Sequence, residues 1–128
     1  MLLTPMNTYH EIDDMKKKFS QFIKERDWEQ FHNPKDLAIA LSVEANELLE
    51  IFQWKTTQES IELVKEKRSE VASEIADIMH FLIAFSNATG IDLYQEFLKK
   101  LEYNKKRYPK EQVKGKTHKY TFYEKPRL

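Results

Sequence analysis

Two stretches of this chain repeat one arrangement: a pair of acidic side chains, three residues apart, set into an apolar stripe of helical period. Glu44 and Glu47 fall among Leu37, Leu41, Leu48, Ile51 and Phe52, while Glu74 and Asp77 fall among Val71, Ile75, Ile78, Leu82 and Phe85. On a helical wheel of about 100° per residue, Glu44 lies inside the first stripe with Glu47 at its edge, and Glu74 lies inside the second with Asp77 on the same flank. An ionised carboxylate is costly in an apolar seam, and four that converge repel one another unless protonated or neutralised. One solution is a hard divalent cation, which takes oxygen ligands and fills its remaining positions with water and phosphate. The other is a Lys or Arg reaching in from a neighbouring helix. A single buried Glu fits the second solution, whereas two such pairs on adjacent helices favour the metal.

The rest of the chain reads as helices that carry these pairs. With 128 residues, only 2 Gly and 4 Pro, there is room for one domain with a core of its own and little material for hairpin turns. Thr8-x-x-Glu11 has the form of a capping box, and Ile12, Met15, Phe19, Phe22 and Ile23 follow at helical spacing to about Arg26. Residues 26–32 carry two aromatics in an expected loop that Asn33-Pro34 ends by starting a second helix to about Trp54. Residues 55–69 read as a connection with a short helical piece around 60–65. A third helix is expected from about Glu66 to Ala88 with Gly90 at its stop, and a fourth from the Asp92-x-x-Gln95 cap to before Pro109. The expected fold is all-α: one domain over 1–128, a four-helix-bundle-like core over about 8–108, and a non-helical tail over 109–128.

Composition removes other classes. Zero cysteines leave no disulfide, thiolate zinc site or cysteine nucleophile, so a metal must be held by oxygen or imidazole. The 21 Lys+Arg balance 21 Asp+Glu, which gives no general attraction to a nucleic acid polymer or a membrane. There is no long apolar run and no leader-like start, so a cytoplasmic protein is expected. Charge is nevertheless sorted along the chain: residues 36–77 hold ten acids against four bases, and residues 99–128 hold eleven bases against three acids. On the fourth helix Lys100, Asn104 and Arg107 stand at i, i+4, i+7 beside Leu93, Phe97 and Leu101, a row that suits a polyphosphate. Taken alone, a solvated helix end favoured by the helix dipole is the commoner reading, and beside a metal site the polyphosphate reading overtakes it. Trp28 and Trp54 each offer a face for a nucleobase or a filling for a core or interface. His80 follows Asp77 by three residues but points well away from Glu74, so it is read as non-ligating.

These residues, in this order, resemble a known family. Trp28 within RDWEQFH, Glu44-x-x-Glu47 followed by Ile51-Phe52-Gln53-Trp54-Lys55, Glu74-x-x-Asp77, and Asn104-x-x-Arg107-Tyr108-Pro109 are similar to the MazG-like all-α nucleoside triphosphate pyrophosphatases, nearest the dCTP pyrophosphatase type. The resemblance runs over about residues 9–121, including Lys119-Tyr120-Thr121. It implies hydrolysis of a (deoxy)nucleoside triphosphate, dCTP or a modified pyrimidine nucleotide, to monophosphate and pyrophosphate. It also implies Mg²⁺, with Mn²⁺ able to substitute, on Glu44, Glu47, Glu74 and Asp77, with Glu44 or Glu47 as proton acceptor. Trp28 and Trp54, with Phe31 and His32 beside them, are implied in the base pocket, and homo-oligomers, dimers or tetramers, are expected. The chain departs from the pattern at Val43 and Ser73, where members often carry an extra Glu, and at Phe81, where close relatives carry a Tyr that could touch the nucleotide. A reading from another class is a non-catalytic helical oligomerisation or interaction module whose acids are buried in salt bridges; a redox metal bundle would need imidazole ligands that this pattern does not offer.

Overall fold

Three local capping arrangements set where the helices of the computed structural model begin. Asn33 Oδ1 accepts the Asp36 N–H at 3.0 Å, with Pro34 in the first turn behind it, and starts a helix at Pro34. Thr56 Oγ1 accepts the Glu59 N–H at 3.1 Å, and Asp92 Oδ1 accepts the Gln95 N–H at 3.0 Å. Each cap satisfies one of the amide donors that a helix start leaves without an internal partner. The structure describes residues 9–119 and Thr121; the capping box expected at Thr8 and the Tyr120 of the terminal motif lie outside the described residues.

The elements are α1 (Tyr9–Glu25), a 3-10 turn (Glu29–Phe31), α2 (Pro34–Phe52), α3 (Thr57–Glu66), α4 (Arg68–Thr89), α5 (Leu93–Arg107) and α6 (Lys110–Val113). No strand occurs among the described residues, as the scarcity of turn residues suggests. Gly90 closes α4 in the left-handed region at φ 73°, and its N–H reaches the Ser86 carbonyl at 2.9 Å. Two stretches are more helical than their sequence suggests. The expected short piece around 60–65 is a capped helix of 10 residues. The tail expected to be non-helical opens with one helical turn, because Pro109 supplies a carbonyl that receives the Gln112 and Val113 amides at 2.9 and 3.2 Å.

The chain divides between Ile91 and Asp92 into two compact units. In the first, α4 is the central helix and packs against α2, α1 and α3. Ile23, Leu37, Val71, Ile83, Ala84 and Ser86 are its buried residues. Ser86 avoids the penalty of an unpaired buried hydroxyl by donating to the Ile91 carbonyl. Ile75, placed by periodicity in the apolar stripe of α4, is 54% exposed. Ile75 instead lines an open apolar groove between α1 and α4, and three of the four buried residues of α4 lie toward its end at Ile83, Ala84 and Ser86. In the second unit, α5 ends with the Tyr108 N–H bonded to the Asn104 carbonyl at 2.8 Å.

One turn is decisive for the site. After α1 the Trp28 N–H bonds back to the Ile23 carbonyl at 3.0 Å and the Asp27 N–H to the Lys24 carbonyl at 3.0 Å, the paired bonds of a Schellman ending. Such an ending needs a left-handed residue, and here Asp27 supplies it at φ 55°. Aspartate tolerates that region better than a β-branched residue does. Asp27→Val is therefore expected to destabilise the chain by about 1–2 kcal/mol, and Asp27→Gly to be neutral or slightly stabilising. Urea unfolding of the three proteins checks this ranking, which no loss of charge alone would produce, since both variants lose the same carboxylate.

Candidate active site

The acidic residues come together where α2 lies against α4. Glu44, Glu74 and Asp77 each contribute one carboxylate oxygen to a group in which all three oxygens lie within 4.8 Å of one another. All three residues are half-buried, as is Glu47 one turn along α2. Oε2 of Glu44 and Oε2 of Glu74 have almost no contact with solvent and no hydrogen-bond partner among the described residues. Burial, then a proton-sharing contact with Glu47 and its charge, pushes the Glu44 carboxyl up from 4.5 to about 7; Asp77 adds to the effect. Burial first, then Glu47, also raises Glu74, partly offset by its contact with Glu44. Burial and mutual charge act in the same direction on acids gathered this closely. The orphaned buried oxygens and the all-oxygen donor set fit a hard divalent ion.

Beside the acids opens a cavity of about 380 Å³, and Glu44 and Asp77 belong to its wall. The remainder of the wall is largely aromatic. Phe19, Phe22 and Ile23 come from α1, Trp28, Phe31 and His32 from the turn that follows, and His80 and Phe81 from α4. Trp28 meets Phe22 edge to face at 5.7 Å and 81°, and the Arg26 guanidinium covers the Phe22 ring at 3.9 Å. The Schellman turn at Asp27 thus delivers Trp28 to the cavity with its ring held by α1.

Of the residues expected at the site, Glu44, Asp77, Trp28, Phe31, His32 and Phe81 share this cavity, and Glu74 joins them through the acidic group. Glu47 adjoins the acids but stands outside the three-oxygen group. Trp54 does not line the cavity; it sits just past α2 and is 85% exposed. Lys100 and Arg107 lie on α5 in the second unit, where their cationic heads approach the Tyr103 ring to 5.0 and 4.9 Å, with Asn104 half-buried beside them. Two cavity groups escaped the sequence reading. Phe19 and Phe22 have the period of a core stripe, yet Phe22 is 40% exposed in the cavity wall. His80, far from Glu74 on the wheel, is not among the three grouped acids and belongs to the cavity wall.

The model of the MazG-like family matches residues 39–121, a span that takes in Glu44-x-x-Glu47 on α2 and Glu74-x-x-Asp77 on α4, and the chain belongs to that family. Among curated proteins it is similar to dCTP pyrophosphatase 1 of Bos taurus, 38% identical over 112 residues, and to that of Homo sapiens, 36% identical over 112 residues. Each match takes in 86% of this chain and 66% of the relative, so the chain spans just under two thirds of their length. Among solved structures, a pyrophosphatase from Archaeoglobus fulgidus is similar at a TM-score of 0.73 and 32% identity, covering 85% of this chain and 99% of that one.

The raised carboxyls have a measurable consequence without any ligand. Between 4.5 and about 7 the folded chain keeps a proton on Glu44 that the unfolded chain has released, so this contribution to stability is present in acid and is lost as pH rises through that window. In chelator, the melting temperature is expected to be lower at about pH 8 than at about pH 5.5, and Glu44→Gln is expected to shrink the difference. A variant with the same pH slope as the parent chain would show that Glu44 does not feel its neighbours.

Proposed function

We propose that this protein hydrolyses a deoxynucleoside triphosphate between its α- and β-phosphates, releasing the monophosphate and pyrophosphate with Mg²⁺, or Mn²⁺ in its place. The observation that carries the reading is the convergence of Glu44, Glu74 and Asp77 on one point at the wall of an aromatic cavity. That arrangement supports a reading in which phosphates bind through a cation beside a flat surface for a base. The pyrophosphatase names of the relatives support it.

Glu44, Glu74 and Asp77 would hold the ion. A divalent cation there supplies positive charge that stabilises the pyrophosphate leaving group and eases deprotonation of the attacking water. Glu47, beside the three but outside their group, is the carboxylate left to accept the water proton. The water oxygen bonds to phosphorus as the anhydride P–O bond breaks, and the electron pair leaves on pyrophosphate. Trp28 stacks on the base, with Phe31 and His32 beside it. Lys100, Asn104 and Arg107, spaced along one face of α5, are assigned to the phosphates by their chemistry and by the family pattern. Self-association is part of the reading. Between α1 and α4 runs an apolar groove of about 770 Å³, with Met15, Ile75 and Met79 exposed along it, a surface that a second copy would cover. No helix among the described residues is long and apolar enough to cross a membrane.

Glu74→Gln is expected to abolish pyrophosphate release and the thermal stabilisation by Mg²⁺ while leaving the helical circular dichroism intact. Glu47→Gln should lower kcat by about 10²–10⁴-fold and keep most of that stabilisation. Excess chelator should stop turnover, and Ca²⁺ should restore it poorly. A fully active Glu74→Gln protein, or undiminished turnover in chelator, would sink the metal mechanism.

Substrate preference is checked with dCTP, dUTP, dTTP, dATP and CTP, scored for pyrophosphate against orthophosphate. A pyrimidine deoxynucleotide, dCTP first, is expected to give the highest kcat/KM. Trp28→Ala should raise KM by about tenfold, the scale of one lost stacking contact. Equal use of purines and ribonucleotides would make the protein a broad house-cleaning pyrophosphatase, and an unchanged KM would remove Trp28 from the base pocket.

A further inference from the structure

Two cations on one helix face repel each other, so something must hold them together if both are to meet one anion. On α5, Lys100, Tyr103 and Arg107 stand at i, i+3 and i+7 and share a face. One ring takes both cations. Lys100 Nζ lies 5.0 Å from the Tyr103 ring centroid, and the Arg107 guanidinium carbon lies 4.9 Å from it. The two heads are therefore no more than about 10 Å apart, and two charge-assisted hydrogen bonds of about 2.8 Å leave a gap that neighbouring phosphates of one chain can span. The negative face of the ring offsets part of the repulsion without neutralising either charge.

The carboxylates of α5 are engaged elsewhere. Glu96 pairs with Lys99 at 3.1 Å and Glu102 with Lys105 at 2.8 Å. Lys100 stands four residues after Glu96, a spacing that permits an ion pair, yet it makes none among the described residues and turns to the ring. The helix dipole accounts for the basic last turn of Lys105, Lys106 and Arg107, but it does not draw Lys100, two turns earlier, to the ring that holds Arg107. Tyr103 itself is 51% exposed, and its hydroxyl makes no hydrogen bond among the described residues. From this we infer that Tyr103 is a positioning residue whose ring gathers Lys100 and Arg107 to receive adjacent phosphates of the substrate. The inference rests on the reading above that gives these cations to the triphosphate, and it adds the group that collects them. A long cationic side chain loses freedom when it meets a ligand, and a ring that has already collected both heads removes part of that cost.

Tyr103→Leu removes the ring, and Tyr103→Phe keeps the ring while removing the hydroxyl. KM for dCTP is expected to rise about tenfold in Tyr103→Leu with kcat little changed, and to stay at the parent value in Tyr103→Phe. A second measurement needs no turnover: inorganic tripolyphosphate is titrated calorimetrically in chelator, where no metal ties it to the acids. Its affinity is expected to fall about tenfold in Tyr103→Leu and to persist in Tyr103→Phe. In a Lys100→Ala background Tyr103→Leu should cost clearly less than in the parent chain, because a positioning residue acts only through the groups it places. Equal costs in the two backgrounds overturn the inference, as does an unchanged affinity in Tyr103→Leu. An equal loss in Tyr103→Phe and Tyr103→Leu also rejects it, since the hydroxyl would then be the acting group. If the parent chain releases no pyrophosphate from any triphosphate, the pyrophosphatase reading fails by itself. The tripolyphosphate titration then decides separately, and a parent chain that binds none rejects the assignment of Tyr103.

Discussion

Mutual repulsion among carboxylates in the seam between α2 and α4 is the constraint from which the rest of the structure follows. Helix pairs usually meet through apolar side chains, and this seam instead carries Glu44, Glu47, Glu74 and Asp77, with a buried oxygen on Glu44 and on Glu74 that meets no hydrogen-bond donor among the described residues. The charge cost is moderated by protonation, as the raised Glu44 and Glu74 carboxyls show. The helices hold their places because α4 is anchored elsewhere. Val71 before the acids, and Ile83, Ala84 and Ser86 after them, are buried, and Gly90 and the Ser86 hydroxyl fix the end of the helix. Stability comes from the two ends of α4, and its middle is left for chemistry.

That division also places the aromatic cavity. An acidic group open to bulk water would bind any hydrated cation weakly and select nothing further. Here α1 and its left-handed turn at Asp27 wall one side with Phe19, Phe22, Ile23 and Trp28. Less water at the acids strengthens their hold on a cation, and the same rings supply a surface for a flat ligand. The acidic group and the aromatic lining share Glu44 and Asp77 as common wall, which is the arrangement that the proposed binding of phosphates beside a base would use.

Much of this was legible in the chain because local rules govern it. Asn33-Pro34, Gly90 and Asp92 mark helix ends through caps that involve only neighbouring residues. The i, i+3 acids inside apolar stripes declare a charged seam wherever the helices pack, since the periodicity of a helix fixes which side chains share a face. The expected helix bounds fall within two residues of those observed for α2 and α4. Ile75 went astray because helical period names a face without saying whether a neighbour covers it at that turn, and the helical turn at Lys110–Val113 was missed because four residues are too few to show a period.

The sequence by itself determined the all-helical class, the bounds of α2 and α4 to within two residues and the identity of the acids, because each depends on contacts within a few residues. Only tertiary structure decided that three of the four acids share one point, that Trp28 enters the cavity while Trp54 stays exposed, and that His80 faces the same space as Asp77. Those facts depend on how far α1, α2 and α4 are rotated against one another. Rotation is set by the packing of Ile23, Leu37, Val71 and Ile83 across helix interfaces, and no spacing within a single helix records it.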